Sequence, residues 1–171
     1  CALTGDDVTA GDEPEARRVF DIDGPQLVSI MRTLSDGTYL SGRSLKHHRE
    51  LLIGAVENPF APPAHVRVRR ARMKVDSGAR FLQLQIGYEP EKLEAFVQGC
   101  ADNDVCRDAA VLPTVILTKS AGALRFMESS VPGIHVPADV IDRIASASDP
   151  LEESYQLARE QAAHALSLPG I

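Results

Sequence analysis

The chain has 171 residues, 44% hydrophobic and 25% charged, with a formal net charge of −6. That is apolar material enough for one domain with a core, and the acidic balance excludes a nucleic-acid protein whose affinity rests on surplus Lys and Arg. The longest apolar runs, such as AAVLPTVIL (109–117), reach about half the ~20 residues of a membrane-spanning helix, so no segment reads as a span.

In chain order, CALT (1–4) is a short apolar run that reads as a strand and stops at Gly5-Asp6. That pair is either a turn, with Gly supplying φ > 0 and Asp capping the next helix, or a ligand site where Gly permits close approach. GPQLVSIMRTL (24–34) has helical spacing with Pro25 at a first helical position. LLIGAV (51–56) is the second strand; Gly54 and Ala55 leave room for a flat ligand, and the prolines of ENPFAPP stiffen the exit, which loop rigidity alone would also explain.

AHVRVRRARMKVDSGA (64–79) follows as a helix stopped by Gly78, with Arg67, Arg70 and Lys74 on one face and Arg69 and Arg72 on another. This is either a solvated face or local positive charge for a phosphorylated cofactor. In the third strand, FLQLQIG (81–87), Gln83 and Gln85 point to one side. A buried amide needs partners, so Gln85, nearer the carboxyl end, suits a polar ligand and Gln83 a structural partner.

EPEKLEAFVQGC (89–100) is a helix, AAVLPTVIL (109–117) the fourth strand, and KSAGALRFMESS (119–130), PADVIDRIASA (137–147) and PLEESYQLAREQAAHALSL (150–168) are helices. Cys1, Cys100 and Cys106 form no CxxC pair and read as reduced structural thiols of a cytosolic protein, and none of the five His is assigned to a metal.

Strand-like runs alternating with helical segments make βα units and a parallel sheet, with ligands at the carboxyl ends of the strands. No linker interrupts the pattern, so residues 1–171 read as one domain. A complete (β/α)8 barrel takes ~250 residues, so four units amount to about half of one. The absence of GxSxG, GxxxxGK[ST], HExxH and GxGxxG leaves nucleophilic hydrolysis, P-loop chemistry and Rossmann dinucleotide binding without support.

LTGD (3–6), GAVENPFAPP (54–63), KVDSGARFLQLQIGYEP (74–90) and VPGIHVPADVIDRI (131–144), in that order, resemble the methylenetetrahydrofolate reductase family. The resemblance implies a partial TIM barrel comprising strands four to seven with their helices. It also implies FAD at the strand ends and reduction of 5,10-methylenetetrahydrofolate to 5-methyltetrahydrofolate by NAD(P)H. Because the family's general-acid glutamate lies on the first strand, residues 1–171 alone are expected to be inactive and, with unpaired strand edges, to associate.

By the same resemblance, Thr4, Gly5 and Asp6 form the strand-four turn against the flavin, and the Asp6 carboxylate lies near the ring edge and opposes negative charge there. Phe20 and Asp21 match a flavin-contacting pair that is more often Tyr-Ala. Ala55, Val56 and Phe60 match the strand-five loop, where many members place an aromatic and a His. Arg70 and Lys74 match contacts to the adenosine diphosphate portion, and Gln85 matches the amide that bonds the pterin. The implied partners are folate and either a second copy or a corrinoid methyltransferase. The alternative reading is a flavin-poor, family-like folate-binding or methyltransferase-partner protein.

Overall fold

Three short strands, β1 (Gly54–Glu57), β2 (Phe81–Leu84) and β3 (Ala110–Leu112), form a parallel sheet in chain order. Ala2 adds a parallel bridge to Ala55, its N–H donating to the Gly54 carbonyl over 2.7 Å, so all four apolar runs lie side by side. The structure, a computed structural model, describes residues 1–5 and 7–171, the side chain of Ala10 excepted. No helix among the described residues is long and apolar enough to cross a membrane.

The strands are shorter than their apolar runs, for local reasons. Pro113 has no N–H to donate and ends β3. In the second run Leu51 and Leu52 are exposed and stay outside the sheet, whereas Glu57, beyond the run, belongs to it. β1 therefore ends on a carboxylate rather than on Val56. Gln85 donates its N–H to the Glu57 carbonyl before the chain leaves the sheet.

The helices are α1 (Gly24–Ser35), α2 (Ala64–Asp76), α3 (Pro90–Asp102), α4 (Val105–Asp108), α5 (Ala121–Ser130), α6 (Ala138–Ser146) and α7 (Pro150–Ser167). Asp23 and Gln26 close a reciprocal capping box on α1, with Pro25 in its first turn. α2 stops before Gly78, whose φ of +121° turns the chain toward β2. The single turn α4 starts from Asp104 in the left-handed region and is too short to leave a periodic signal.

Side-chain alternation divides the sheet. Ala55, Leu82 and Leu84 face the helices and join Val28, Ala71, Phe96 and Val97 in the main core. Leu124, Val136 and Ile144 build a second core among α5, α6 and α7, with Tyr88 from the loop after β2. Burial pushes the Cys100 thiol up to about 12, keeping it neutral in the main core. On the opposite face of the sheet the Phe81 ring lies over Gly54, where a Cβ would come within 2.0 Å of it. Gly54→Ala should therefore destabilise the fold by about 1–3 kcal/mol by overpacking, with Phe81→Leu in the same chain restoring much of the loss in urea melts. A neutral Gly54→Ala would show that the ring swings away freely.

Arg72 ties α2 to the α3–α4 corner, donating to Asp76, to Asp108 over 2.8 Å and to the Asp104 carbonyl over 3.1 Å. The hydrogen bond from Arg107, reinforced by Arg72, holds the Asp108 carboxyl down at about 2. Its stabilising contribution is complete above the unfolded value of 3.8 and is lost as pH falls through about 2. Asp108→Asn should remove that part of the acid-unfolding profile; an unchanged profile would show that these guanidinium contacts do not persist in solution.

Candidate functional site

The carboxyl ends of β1 and β2 open into a groove of about 780 Å³. One wall comes from Leu3, Thr4 and Gly5, the floor from Val56, Gln83 and Gln85, and the far wall from Arg67, Arg70 and Lys74 on α2. The i, i+3, i+7 spacing of the three cations puts them on one helix face, and the β1–α2 connection turns that face toward the strand ends.

Lys74 is not a free cation. Its Nζ donates over 2.6 Å to Glu57 Oε2 and over 2.6 Å to the Val56 carbonyl, and both side chains of the pair are buried. Desolvation lowers the Lys74 pKa, Glu57 opposes the shift, and Arg70 and Arg67 add to it. Arg67 stands 3.8 Å from Glu57 Oε1 and donates to the Ala61 and Pro62 carbonyls, bracing the proline-rich loop. Arg70, half-buried on the groove wall, has no hydrogen bond or ion pair among the described residues. With one carboxylate against three cations among the described residues, the groove lining carries positive charge suited to a phosphate.

Gln85 Oε1 accepts from the Ile86 N–H over 3.0 Å, which leaves its amide NH2 without a partner among the described residues. Gln83 is exposed on the same floor and makes no side-chain hydrogen bond among the described residues, where a structural partner was expected. Gly5 has a φ of +80° and open space where a Cβ would stand, so it serves the turn and leaves the groove accessible together. Asn58 donates to the Gly133 carbonyl over 2.8 Å and accepts from the Phe60 N–H, joining the loops beyond β1 and α5.

Of the residues singled out in the sequence, Thr4, Gly5, Val56, Arg70, Lys74 and Gln85 share this groove. Asp6 lies outside the described residues. Phe20 and Asp21 are exposed and do not line the groove. Ala55, from its alternation with Val56, faces the helices in the core. Phe60 lies over Gly87, where a Cβ would approach its ring to 2.3 Å, and lines a neighbouring cavity instead. Nothing local in the sequence paired Glu57 with Lys74 or Asn58 with the Gly133 carbonyl; the crossover into α2 and the packing of the loops supply those partners. Arg67 was legible from its spacing with Arg70.

The groove has the volume of a cofactor site, cations for phosphates and amides for the edge of a planar ring, so its residues fit a flavin nucleotide in kind. The structure thus defines an α/β protein built on a parallel sheet, with a ligand groove at its strand ends. The family model for methylenetetrahydrofolate reductase matches residues 1–166, and the chain belongs to that family. Members of the family have a TIM-barrel fold, with which the parallel sheet and its helices are consistent. Membership supports a folate-related oxidoreductase function in one-carbon metabolism. No curated protein matches the chain significantly.

Proposed function

We propose that the protein reduces 5,10-methylenetetrahydrofolate to 5-methyltetrahydrofolate with NAD(P)H and FAD, its four strand segments standing as strands four to seven of a (β/α)8 barrel. The observation that carries this reading is the convergence of Arg70, Gln85 and the open Gly5 turn on one groove at the strand ends. A flavin bound there supplies the chemistry of accepting hydride from the nicotinamide and passing it to the folate methylene carbon. The chain's own part is electrostatic and positional. Arg70 and Arg67 hold phosphate oxygens, Gly5 and Thr4 admit the ring, and the Gln85 NH2 donates to the pterin. Asp6 places a negative charge that stabilises a cationic iminium form of the folate.

Anaerobic absorption spectroscopy of the protein with a complete barrel, the general acid of the first strand included, tests this reading: bound yellow flavin should bleach with NAD(P)H and recover on adding 5,10-methylenetetrahydrofolate. A protein that binds folate but neither retains nor responds to flavin would replace it with the second reading, a folate-binding or corrinoid-methyltransferase partner. Three placements favour that alternative: Lys74 is committed to Glu57, Phe60 turns to Gly87, and Phe20 stands clear of the groove. Under the reductase reading, Asp6→Asn should raise the flavin potential by roughly tens of millivolts, through loss of a nearby charge, and should slow folate reduction more than NAD(P)H oxidation. Equal slowing of both half-reactions would remove the charge from the account.

A further inference from the structure

The end of the sheet opposite the ligand groove carries a long connection. Between α1 and β1 the chain takes residues 36–53, where helix-to-strand loops in α/β units take ~2–6 residues. The extra length is braced by its own bonds. Thr38 bridges Ser44 in an antiparallel hairpin, Tyr39 donates its N–H to the Arg43 carbonyl and Gly42 to the Tyr39 carbonyl, each over 2.8 Å, and Gly42 turns the tip at a φ of +83°. The His48 ring lies over Gly37, where a Cβ would come within 2.7 Å of it, and the Leu51 N–H donates over 2.8 Å to the hydroxyl of buried Ser35. The side chains of this ordered backbone nonetheless stand in water, residues 40–44 and 46–50 all being exposed.

The charge of this loop runs against that of the chain. The protein has a net charge of −6, yet Arg43, Lys46 and Arg49 stand here without an ion pair among the described residues, Arg43 lying 4.7 Å over the Tyr39 ring. Asp36 is held by Arg32 at 2.8 Å, which leaves Glu50 as the loop's other carboxylate. At the foot of the loop a groove of about 800 Å³ opens at the amino ends of β1 and β2. Its apolar surface comes from Leu51 and Leu52, 48% and 77% exposed. Its charged lining balances, Arg32 and Arg80 against Asp36 and Glu50, so the positive surplus is the loop's.

We propose that this end of the protein docks an acidic segment of another protein, whose apolar side chains seat on Leu51 and Leu52 and whose carboxylates meet Arg43, Lys46 and Arg49. Because the hairpin is already closed by its own hydrogen bonds, binding has little loop ordering left to offset. A membrane or a nucleic acid would bring its negative charge against the whole acidic chain, whereas a short segment meets the cationic loop alone. A partner seated here leaves the carboxyl ends of the strands open, so the proposal does not rest on the flavin reading.

Selection of a random peptide library displayed on phage against the full chain tests the assignment. Enriched peptides should carry several Asp or Glu around Leu, Ile or Phe, and in synthetic form they should bind saturably and more weakly as salt rises. The charge-reversed variant Arg43→Glu, Lys46→Glu, Arg49→Glu should lose about tenfold or more in affinity, and Leu52→Ser about threefold. All four side chains are exposed, so both variants should keep the wild-type urea melt. Enrichment of peptides without carboxylates, binding that the charge reversal leaves unchanged, or no saturable binding by any selected peptide would overturn the proposal, whether or not the protein binds flavin. So would phosphatidylserine vesicles or single-stranded RNA that bind more tightly than any selected peptide and are released by the same charge reversal.

Discussion

Lys74→Met is expected to destabilise the protein by about 3–5 kcal/mol in urea unfolding, the range for breaking a buried ion pair from one side. The Glu57 carboxylate is 2% exposed, and without Lys74 its nearest remaining cation is Arg67 at 3.8 Å, already bonded to two loop carbonyls. The substitution would leave a charge in the main core's rim with little compensation, and the Val56 carbonyl would lose a donor as well. Glu57→Leu in the same chain should recover most of the loss, because removing both charges is far less harmful than stranding one. A single Lys74→Met that cost less than about 1 kcal/mol, the range of exposed pairs, would show that Glu57 reaches water in solution.

Arg70→Ala is expected to weaken FAD binding by about 10- to 100-fold, the value of one or two charge-assisted hydrogen bonds to a phosphate. Riboflavin, which has the ring but no phosphate, should bind wild type and variant alike. The comparison separates a local charge effect from damage to the groove. Arg70 is suited to it because it lines the groove and has no ion pair among the described residues. Equal loss of FAD and riboflavin would mean that α2 shifts, and no loss of either would take the phosphate away from this wall.

The sheet order was legible because alternating apolar runs and helical segments leave few right-handed solutions, and β1, β2 and β3 follow the chain. The start of α1 was legible from Pro25, whereas the capping box that Asp23 closes with Gln26 was not read from the sequence. Strand ends were not, since hydrophobicity alone ran past Pro113 and stopped short of Glu57. The same limit governed the site. Helical spacing put Arg67, Arg70 and Lys74 on one face, but nothing local said that a carboxylate seventeen residues earlier would take up Lys74.

Whether the strand-end groove holds the flavin is decided by a crystal structure of the protein with FAD. The isoalloxazine ring should lie against Gly5 and Val56, with phosphate oxygens within hydrogen-bond reach of Arg70 and the Gln85 NH2 facing the open side of the ring. Flavin bound at any other surface, or crystals that take up no flavin at saturating FAD, would contradict that placement.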